Sequence, residues 1–488
     1  MADYDYVIVG AGSAGCVLAN RLSADGRHRV LLIEAGGSDR RFWVQVPIGY
    51  GKTYYQQAVN WRYTTQAVPG LNGHPSYWPR GKVLGGSSAI NAIVYIRGNA
   101  LDYDAWERAG NPGWAYKDVL PYFIRSETNA LGAGPYHGGS GPLHVADVSR
   151  DLHPICQDFI EAGRQAGLDR NPDFNGARQD GVGLYQLTGK AGLRMSTARA
   201  YLHPAMRRPN LQVRTHAHAT QVLCQAGRAI GVEYERGGRR LRAMANKEVI
   251  LCGGAINSPQ LLQLSGIGPC QVLQAAGIGI VCESPAVGMN LQDHIGVDYL
   301  FRSRKKTLND ELHPWWGKLA AGMQYIAFRR GPLSLSVNQA GGFFKTAPDL
   351  AQPNMQLYFS PVSYTRAAPG TRPLMNPDPF PAFLLGVSNC RPASRGYVRV
   401  RSADPFEAPE IQPNYLSSQA DMDELLQGVR LIRELARMPA LAAIIEDELR
   451  PGRQCRTDEA LAQDIRENAW SVFHPCSTCR MGPDPDTC

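Results

Sequence analysis

A glycine turn near the N-terminus has the residue types and spacing that bind a pyrophosphate. Gly10, Gly12 and Gly15 form a G-x-G-x-x-G pattern. The first glycine permits a tight turn, the second lets a phosphate approach the backbone amides, and the third lets a helix pack closely on the preceding strand. Glu34 lies nineteen residues beyond Gly15, where a carboxylate can accept hydrogen bonds from both hydroxyls of a ribose. These residues predict a site for an adenine dinucleotide, either NAD or FAD, because both contain the same ADP half.

The segments around this turn have the hydropathy of a strand–helix–strand unit. An apolar run at 4–9 leads directly into the glycines, a small and apolar stretch follows at 16–22, and a second apolar run at 29–33 ends at Glu34. In such a unit the pyrophosphate lies at the helix N-terminus, where unpaired amide groups favour an anion. The order of strand, glycines, helix, strand and acid therefore predicts a Rossmann-type unit.

Two further glycine-rich segments indicate a second approach to the same ligand. In the segment 81–91, Gly85 and Gly86 precede two serines, so backbone and hydroxyl donors are available without bulky side chains. The segment 254–268 follows a strand-like run and opens a helix that contains Pro259 near its start. Both segments suit a strand-to-helix crossing beside a nucleotide.

Length and composition are those of a large globular protein. The chain has 488 residues, of which 44% are hydrophobic and 19% charged, so at least two domains are expected. Neither a long apolar run typical of a transmembrane segment nor a signal peptide is predicted. The net charge of +8 is spread over separate Arg-Arg pairs, so we predict no nucleic-acid partner.

The cysteines indicate reduced thiols. Eleven cysteines occur without a predicted secretion signal, which favours a cytoplasmic location; a peripheral position at the inner membrane stays open. Cys476 and Cys479 lie close to His474, but zinc would need a second pair of ligands that the spacing does not offer. We therefore predict no metal site.

In their order along the chain these segments closely resemble the glucose-methanol-choline (GMC) family of FAD-dependent oxidoreductases, and in particular alcohol dehydrogenases of the choline-dehydrogenase-like type. The resemblance extends from residue 4 to the last residue. Besides the glycine-rich segments it rests on residues 198–202, 287–294, 394–396 and 474–482.

The resemblance implies an α/β fold in which a Rossmann-type FAD-binding domain is interlaced with an α+β substrate domain that carries an antiparallel sheet. The FAD-binding domain would comprise residues 1–150, 190–305 and 455–488. The substrate-binding domain would comprise residues 151–189 and 306–454.

The resemblance also implies which residues hold FAD. The ADP half would lie against Gly10, Gly12, Ser13, Gly15, Glu34 and Ala35. The pyrophosphate and the isoalloxazine would lie along Lys82, Val83, Gly86, Ser87, Asn91, Ile93 and Val94. The backbone of Val222 would meet the adenine. Ile90 stands where some relatives carry a histidine that is bonded covalently to FAD, and because isoleucine cannot form that bond we predict non-covalent FAD.

His474 heads the segment that resembles the catalytic histidine motif of the family. Alcohol oxidation removes a proton from the hydroxyl and a hydride from the carbon, and an imidazole suits the proton because its ordinary pKa is near neutrality. The implied function is oxidation of a primary alcohol to an aldehyde, with hydride transfer to flavin N5 and His474 as the proton acceptor. The external electron acceptor would be a quinone, a redox protein or oxygen. His294 is expected to hold the framework of the FAD-binding domain.

The end of the chain and the substrate leave alternatives open. Relatives place a second catalytic residue, asparagine or histidine, beyond the position that corresponds to Cys488, so we expect a truncated C-terminus. A flavin-fold lyase without net redox change, a FAD-binding protein without activity and an NAD enzyme are the other candidate functions. Trp315 and Trp316 could form an aromatic wall for a quaternary ammonium, but adjacent tryptophans more often pack, so aliphatic or aryl alcohols are the predicted substrates.

Overall fold

The computed structural model describes residues 3–364 and 376–484. Its α-helices in these ranges are α1 (Ser13–Leu22), α2 (Phe42–Gln45), α3 (Tyr50–Thr53), α4 (Ala100–Arg108), α5 (Tyr116–Ser126), α6 (Ile155–Gln165), α7 (His203–Ala205), α8 (Gly254–Leu264), α9 (Cys270–Ala275), α10 (Leu308–Leu312), α11 (Trp315–Phe328), α12 (Gln419–Arg437), α13 (Pro439–Ala442) and α14 (Asp458–Asn468). Single 3-10 or π turns occur at Pro47–Gly49, Pro69–Leu71, Gly86–Ala89, Ala198–Leu202 and Pro332–Ser334.

Most strands belong to two sheets. Their strands are β1 (Tyr4–Val9), β2 (Val30–Ile33), β3 (Gly181–Leu184), β4 (Leu211–Arg214), β5 (His218–Gln225), β6 (Arg228–Arg236), β7 (Arg239–Leu251), β8 (Ile295–Ser303), β9 (Ala340–Phe344), β10 (Met355–Ser360), β11 (Ala382–Asn389), β12 (Ile445–Arg450) and β13 (Trp470–Ser471). Short two-stranded ladders pair Tyr63–Thr64 with Tyr77–Trp78, Glu127–Asn129 with Leu143–Val145, Gly189–Lys190 with Leu193–Arg194, Ile267–Gly268 with Cys282–Glu283, and Tyr397–Arg399 with Glu410–Gln412.

The first sheet contains the predicted strand–helix–strand unit. Its order is β4–β2–β1–β7–β6–β5, with the first four strands parallel and the last two antiparallel. Helix α1 begins directly after Gly12. Gly15 has no room for a side chain, because a Cβ there would lie 1.9 Å from the carbonyl oxygen of Gly10. The close helix–strand packing that the third glycine predicts is therefore present.

Both faces of this sheet are covered, which explains why β1 and β2 are apolar almost throughout. Ile8 and Leu32 pack on one side with α1 and the turn Ala198–Leu202. Val7 and Leu31 pack on the other side with residues that include Tyr234 of β6. Alternate residues of one strand thus enter two different cores.

The second sheet is antiparallel and separates a core from a cavity. Its order is β12–β8–β11–β10–β9–β3, and β13 also pairs with β8. Along β10, Met355, Leu357 and Phe359 enter the largest core, which also contains α6, α12 and α14. Gln356 and Tyr358 point to the opposite face and line the cavity. The period of two therefore gives this strand one apolar face and one face for binding.

The predicted fold class, a Rossmann-type domain combined with an antiparallel sheet, is confirmed. The predicted division into domains stays a prediction, and the sheets differ from it at two places. Strand β8, which lies before the predicted boundary at residue 305, belongs to the second sheet. Strand β13, within the predicted FAD-binding segment 455–488, also pairs in that sheet. None of the helices in the described ranges is long and apolar enough to cross a membrane.

Candidate active site

A cavity of about 1500 Å³ is lined by residues of the second sheet and of the segments that connect the strands, including the start of α1. The glycine-rich segments contribute Ser13, Ser87 and Asn91 to its wall, and the second sheet contributes Tyr358 and Leu384. Pockets for single small ligands usually measure roughly 300–1,000 Å³. The cavity is therefore large enough for a ring system of a dinucleotide together with a second molecule.

Two imidazoles meet in the wall of this cavity. His474 follows β13, and its Nδ1 lies 3.2 Å from Nδ1 of His294, which directly precedes β8. The two rings are edge to face, with their centres 5.2 Å apart. Antiparallel pairing of β13 with β8 brings these residues together, although they are 180 positions apart in the chain.

A buried carboxylate fixes the backbone on which His474 is carried. Oδ1 of Asp293 accepts a hydrogen bond from the backbone amide of His474 at 2.7 Å. Oδ2 of the same residue accepts hydrogen bonds from the hydroxyls of Ser471, at 2.5 Å, and of Tyr415. Burial raises the pKa of Asp293, and the hydrogen bonds from Ser471 and Tyr415 oppose that rise. The carboxylate thus fixes the Ser471 hydroxyl, the Tyr415 hydroxyl and the His474 backbone amide close to the imidazole.

The residue before His474 has an unusual backbone conformation. Phe473 has a φ of 66°, which is rare for a bulky side chain and is strained unless its surroundings impose it. The guanidinium of Arg80 donates a hydrogen bond to the Phe473 carbonyl at 2.5 Å, and the Phe473 amide donates to the Ser471 hydroxyl at 2.8 Å. Positive φ values also occur at Ile93 and Ser477, beside the same cavity. Such strained residues cluster at functional sites.

Both imidazoles are neutral at physiological pH. Burial, the neighbouring His294 and the charge of Arg80 lower the pKa of His474 to about 3. Burial also lowers the pKa of His294, opposed by Asp293 and by a hydrogen bond from the ring to the backbone of Cys390. His474 is surrounded by protein atoms but is exposed on the side where its ring opens into the cavity. It can therefore accept a hydrogen bond from a ligand there.

The glycine segments leave space for a pyrophosphate. A Cβ on Gly12 would meet only the Cys252 carbonyl oxygen, at 3.8 Å, so the space next to the Gly12 backbone is free of other protein atoms. A Cβ on Gly86 would lie 2.7 Å from the Cα of Gly12, which shows that the two segments touch. Ser13 at the start of α1 and Ser87 both face the cavity. A phosphate at this place would meet a helix N-terminus and two hydroxyls.

Glu34 lies beside the glycine turn. Its carboxylate is buried and accepts hydrogen bonds from the amides of Ala11 and Gly36, each at 2.8 Å. Burial raises the pKa of Glu34 to about 7, opposed by these two hydrogen bonds and by the charge of Lys82. Each carboxylate oxygen has a second lone pair, so the group can still accept hydrogen bonds from a diol. The residues present therefore fit the ADP half of FAD.

Most of the other predicted FAD residues surround the same region. The cavity wall includes Ser13, Ser87, Ile90, Asn91, Val94 and His474. The strand-end segment with Ala35 contacts the segment with Lys82 and Val83, since a Cβ on Gly36 would lie 1.9 Å from the Lys82 carbonyl oxygen. Ile93 is buried between the wall residues Ala92 and Val94.

Val222 is not brought to the cavity. Its amide donates a hydrogen bond to the Ser265 hydroxyl at 2.8 Å, and its side chain lies in the core beneath the first sheet. Contact of the Val222 backbone with the adenine stays a prediction. The alternating strand pattern around Val222 does not show which residue of β5 is nearest to the ligand.

Trp315 and Trp316 neither form an aromatic wall of the cavity nor pack in the interior, which the sequence favoured. Both lie on α11 at the molecular surface, 72% and 63% exposed, and neither lines the cavity. The aromatic residues near His474 are instead Tyr54, Tyr55 and Tyr77, with ring centres 4.6–5.2 Å apart.

Four features of the site were missed by sequence reasoning. They are the carboxylate hub at Asp293, the guanidinium of Arg80, the contact of His294 with His474, and the tyrosine cluster. Asp293 and His294 lie within a segment that resembles the family, which was a usable signal. Arg80 carries no local signal, because its partner at Phe473 is 393 positions away.

Comparison with known proteins decides the family. Residues 4–296 and 392–488 match the N-terminal and C-terminal parts of the GMC oxidoreductase family. The chain belongs to this family. It is 42% identical to mitochondrial choline dehydrogenase of Mus musculus, over 99% of this chain and 81% of that one. It is 41% identical to an alcohol dehydrogenase (acceptor) of Pseudomonas putida, over 99% and 87% of the two chains.

Solved structures agree with the family. Pyridoxine 4-oxidase from Mesorbium loti superposes with a TM-score of 0.88 at 31% identity, over 99% of this chain and 90% of that one. A formate oxidase superposes with a TM-score of 0.90 at 25% identity, over 99% and 89% of the two chains.

Several predictions are settled by these relatives. The assignment to the GMC family and the prediction of a FAD-dependent oxidoreductase that acts on CH–OH groups are confirmed. The lyase alternative finds no support among the relatives. The expectation of a truncated C-terminus is not borne out by the comparisons, in which 99% of this chain is aligned and covers 81–87% of the relatives named above.

Proposed function

We propose that this GMC oxidoreductase oxidises a primary alcohol to an aldehyde, with neutral His474 as the proton acceptor and with non-covalent FAD. One observation supports this most strongly: the imidazole pair, Ser13 of the N-terminal glycine turn and Ser87 of the segment 81–91 face the same cavity. A ligand that is held by its pyrophosphate at Ser13 and Ser87 and extends along Asn91 would share that space with an alcohol near His474.

The proposed cofactor contacts follow from the chain's own groups. Glu34 would accept hydrogen bonds from the ribose, and Gly12, Gly86 and Ser13 would approach the pyrophosphate. The remainder of the FAD molecule would lie against Lys82, Val83, Asn91, Ile93 and Val94. FAD, when bound, supplies the acceptor for the hydride that leaves the alcohol carbon.

The hydrogen bonds around the imidazole pair favour one tautomer of His474. A neutral imidazole has one N–H, and His294 uses its N–H on the Cys390 backbone. Nδ1 of His294 would then be an acceptor, and Nδ1 of His474, 3.2 Å away, would be the donor. This leaves Nε2 of His474 without a proton and able to accept one from a hydroxyl. His294 would thus orient His474, which adds a function to the framework role that the sequence predicted.

The low pKa of His474 fits the binding part of this role. The ring stays neutral over the physiological range, so it can hold an alcohol by accepting its hydrogen bond. A pKa of about 3 also makes the ring a weaker base than an ordinary imidazole, so transfer of the proton would be coupled to departure of the hydride from the alcohol carbon. The strained carbonyl at Phe473 and the Asp293 carboxylate would keep the ring in position.

The wall of the cavity favours an alcohol with an aromatic or aliphatic body. Tyr54, Tyr55 and Tyr77 contact one another, and Phe473 lies 5.7 Å from the ring of Tyr54. Aromatic groups stack favourably on such a cluster. A benzylic or medium-chain primary alcohol would place its hydroxyl at His474 and its body against these rings.

A quaternary ammonium alcohol is the second candidate. Asp298 and Tyr358, from the second sheet, line the same cavity, and a carboxylate with aromatic faces can bind a methylated cation. The likeness to choline dehydrogenases gives this candidate further support. The tyrosine cluster next to His474 favours the first candidate.

For the electron acceptor we propose a class of molecule, and for the location a cellular compartment. Transfer to a quinone, a redox protein or oxygen would complete turnover, and we favour a dehydrogenase. We also propose that the protein works at the cytoplasmic side, peripheral to the inner membrane.

The decisive experiment follows the flavin spectrum of the purified holoenzyme. Under anaerobic conditions, benzyl alcohol should bleach the visible absorption band of the bound flavin, and choline should do so more slowly. The variant His474→Ala should retain the band and lose the bleaching, while His144→Ala, which changes a histidine outside the cavity, should behave like the parent protein. A band that no alcohol bleaches would contradict the proposal.

Non-covalent attachment is tested separately. Acid precipitation of the holoenzyme should leave the yellow flavin in the supernatant, because the Ile90 side chain offers no atom for a covalent link. Colour in the pellet would contradict this part of the proposal.

A further inference from the structure

Helix α11 exposes an unusually large apolar face. Six of its large hydrophobic side chains are more than half exposed: Trp315, Trp316, Leu319, Met323, Ile326 and Phe328. Only Ala321 and Tyr325 of this 14-residue helix are buried. Monomeric proteins rarely expose contiguous apolar patches of this kind unless the patch binds something.

Five of the six exposed side chains form one stripe, and Phe328 lies outside it at the helix end. At about 100° per residue, Trp315, Ile326, Leu319, Met323 and Trp316 lie within an arc of roughly 100°. Ala321 and Tyr325 lie on nearly the opposite side, where Tyr325 donates a hydrogen bond to the Gly192 carbonyl at 2.9 Å. The helix is therefore anchored by a narrow buried stripe and presents its apolar stripe to the outside.

A second exposed apolar segment adjoins this stripe. Phe42 and Trp43 of α2 are 55% and 38% exposed. The hairpin Gly189–Arg194 connects the two helices, because Tyr325 binds it at Gly192 and the guanidinium of Arg194 donates to the Val44 carbonyl at 3.0 Å. The turn after α2 also packs against the turn after α11. Helices α2 and α11 thus belong to one surface, which we call the α2/α11 surface.

The rim of the α2/α11 surface is basic. Exposed cations lie at Arg40, Arg41, Lys52, Lys318, Arg329 and Arg330. No Asp or Glu occurs between residues 40 and 101 or between residues 312 and 348. In the described part of the chain, none of these six cations forms an ion pair with a carboxylate. An anionic partner would therefore meet charges that are not already neutralised.

We infer that the α2/α11 surface docks on a lipid bilayer that contains anionic headgroups. Tryptophans at the edge of an apolar stripe and cations around it are the features of a helix that lies in the membrane interface. At 14 residues, α11 is too short to span the hydrocarbon region. A second copy of this chain fits less well, because a twofold pairing would bring two identical basic rims together.

This inference deepens the peripheral location proposed above and is independent of the proposed alcohol oxidation. It names the surface and the chemistry of the partner. The turns that follow α2 and α11 lead to Tyr50 and Val337, which line the cavity. Docking would therefore bring the entrance region of the site close to the membrane.

The test uses the purified full-length holoenzyme and vesicles of phosphatidylcholine with or without phosphatidylglycerol. The protein should sediment with the anionic vesicles, and its tryptophan emission should shift to shorter wavelength. The triple variant Leu319→Gln, Met323→Gln, Ile326→Gln should lower the partition coefficient at least ~10-fold. The matched variant Leu131→Gln, at a leucine that is 50% exposed outside this surface, should bind like the parent protein.

A second pair of variants tests the charges. Lys318→Gln with Arg330→Gln should weaken binding to anionic vesicles, while Arg236→Gln with Arg239→Gln should not. Absence of vesicle binding, or equal binding by the apolar triple variant, would overturn the inference. Loss of a dimer in the triple variant without any binding to lipid would assign the surface to a second copy and would also overturn it. Turnover of an alcohol with a soluble dye should be equal in all these variants, so failure of that turnover in the parent protein would concern the proposed function alone.

Discussion

At the scale of single residues, His474 has a neutral ring and follows Phe473, whose backbone has a positive φ. We expect His474→Ala to lower kcat/KM for the alcohol by about 10²–10⁴, the usual contribution of a positioned acid or base, and to leave FAD binding unchanged. Steady-state kinetics with a dye acceptor and a FAD titration measure the two effects. A loss of less than tenfold would show that another group takes the proton.

The pH dependence of kcat/KM, which His474 is expected to determine, should change when His294 is replaced. Burial and His294 lower the pKa of His474, so the acidic limb of kcat/KM should lie below the ordinary imidazole range in the parent enzyme. Because His294→Leu removes one of the groups that disfavour the charged ring, it should raise the pKa of His474 and move the acidic limb to higher pH. A pH profile of both proteins checks this; it should extend below the ordinary imidazole pKa of about 6.5, towards the pKa of about 3 of His474 in the parent enzyme. An unchanged limb would argue against direct coupling of the two rings.

At the scale of elements, the contact between the glycine turn at Gly12 and the segment at Gly86 leaves no room for a side chain. A Cβ on Gly86 would lie 2.7 Å from the Cα of Gly12, and Gly86 has a φ of 54°. We therefore expect Gly86→Ala to separate the segments and to weaken FAD binding strongly, because the pyrophosphate needs both backbones. The matched variant Gly134→Ala, whose Cβ would meet no atom within 4 Å, should bind FAD normally. Equilibrium titration of the two apoproteins compares them.

The elements differ in how well sequence predicts them. The unit of β1, α1 and β2 was predictable, because its apolar runs, its glycines and Glu34 are all local features. The assignment of β8 to the second sheet was not, since an apolar strand has the same composition in either sheet. The exposure of α11 was also unpredictable, because its apolar residues read as those of a packed helix until its neighbours are known.

The site shows the same limit at longer range. The glycine segments and His474 were identified from motifs, and the structure places Ser13, Ser87 and His474 around one cavity, whereas the segment 254–268 contributes no residue to its wall. The hydrogen bonds of Asp293 and Arg80 depend on pairing between segments that are distant in sequence, so no local pattern reveals them. The position of Val222 could not be settled either, because strand alternation alone does not say which side of β5 meets a ligand.

At the scale of the whole molecule, cofactor binding should be linked to pH through Glu34. Burial raises the pKa of Glu34 to about 7, above its ordinary value. The apoprotein therefore holds this group mostly neutral below that pH, and its contribution to stability is present below the unfolded pKa and is lost as the pH rises through about 7. Ribose hydroxyls donate to the charged carboxylate, so FAD should bind more tightly as the pH rises from about 5 to 7.

Two measurements check this linkage. The increase in Tm that FAD produces should be larger at pH 8 than at pH 5, values that bracket a pKa of about 7. The variant Glu34→Gln should bind FAD more weakly and should lose most of this pH dependence. Equal Tm increases in the parent protein at both pH values would contradict the assignment of Glu34 to the ribose.

The strand order of the first sheet has a consequence for synthesis on the ribosome. Strand β1 lies between β2 and β7. Its partner strand β7 begins only at Arg239. At about 5–20 residues per second, roughly 10–50 s pass between emergence of the two strands. During that interval one edge of the nascent nucleotide-binding unit has no partner strand, so chaperones have their best opportunity to bind it, and slower translation of the intervening segment would lengthen the exposure.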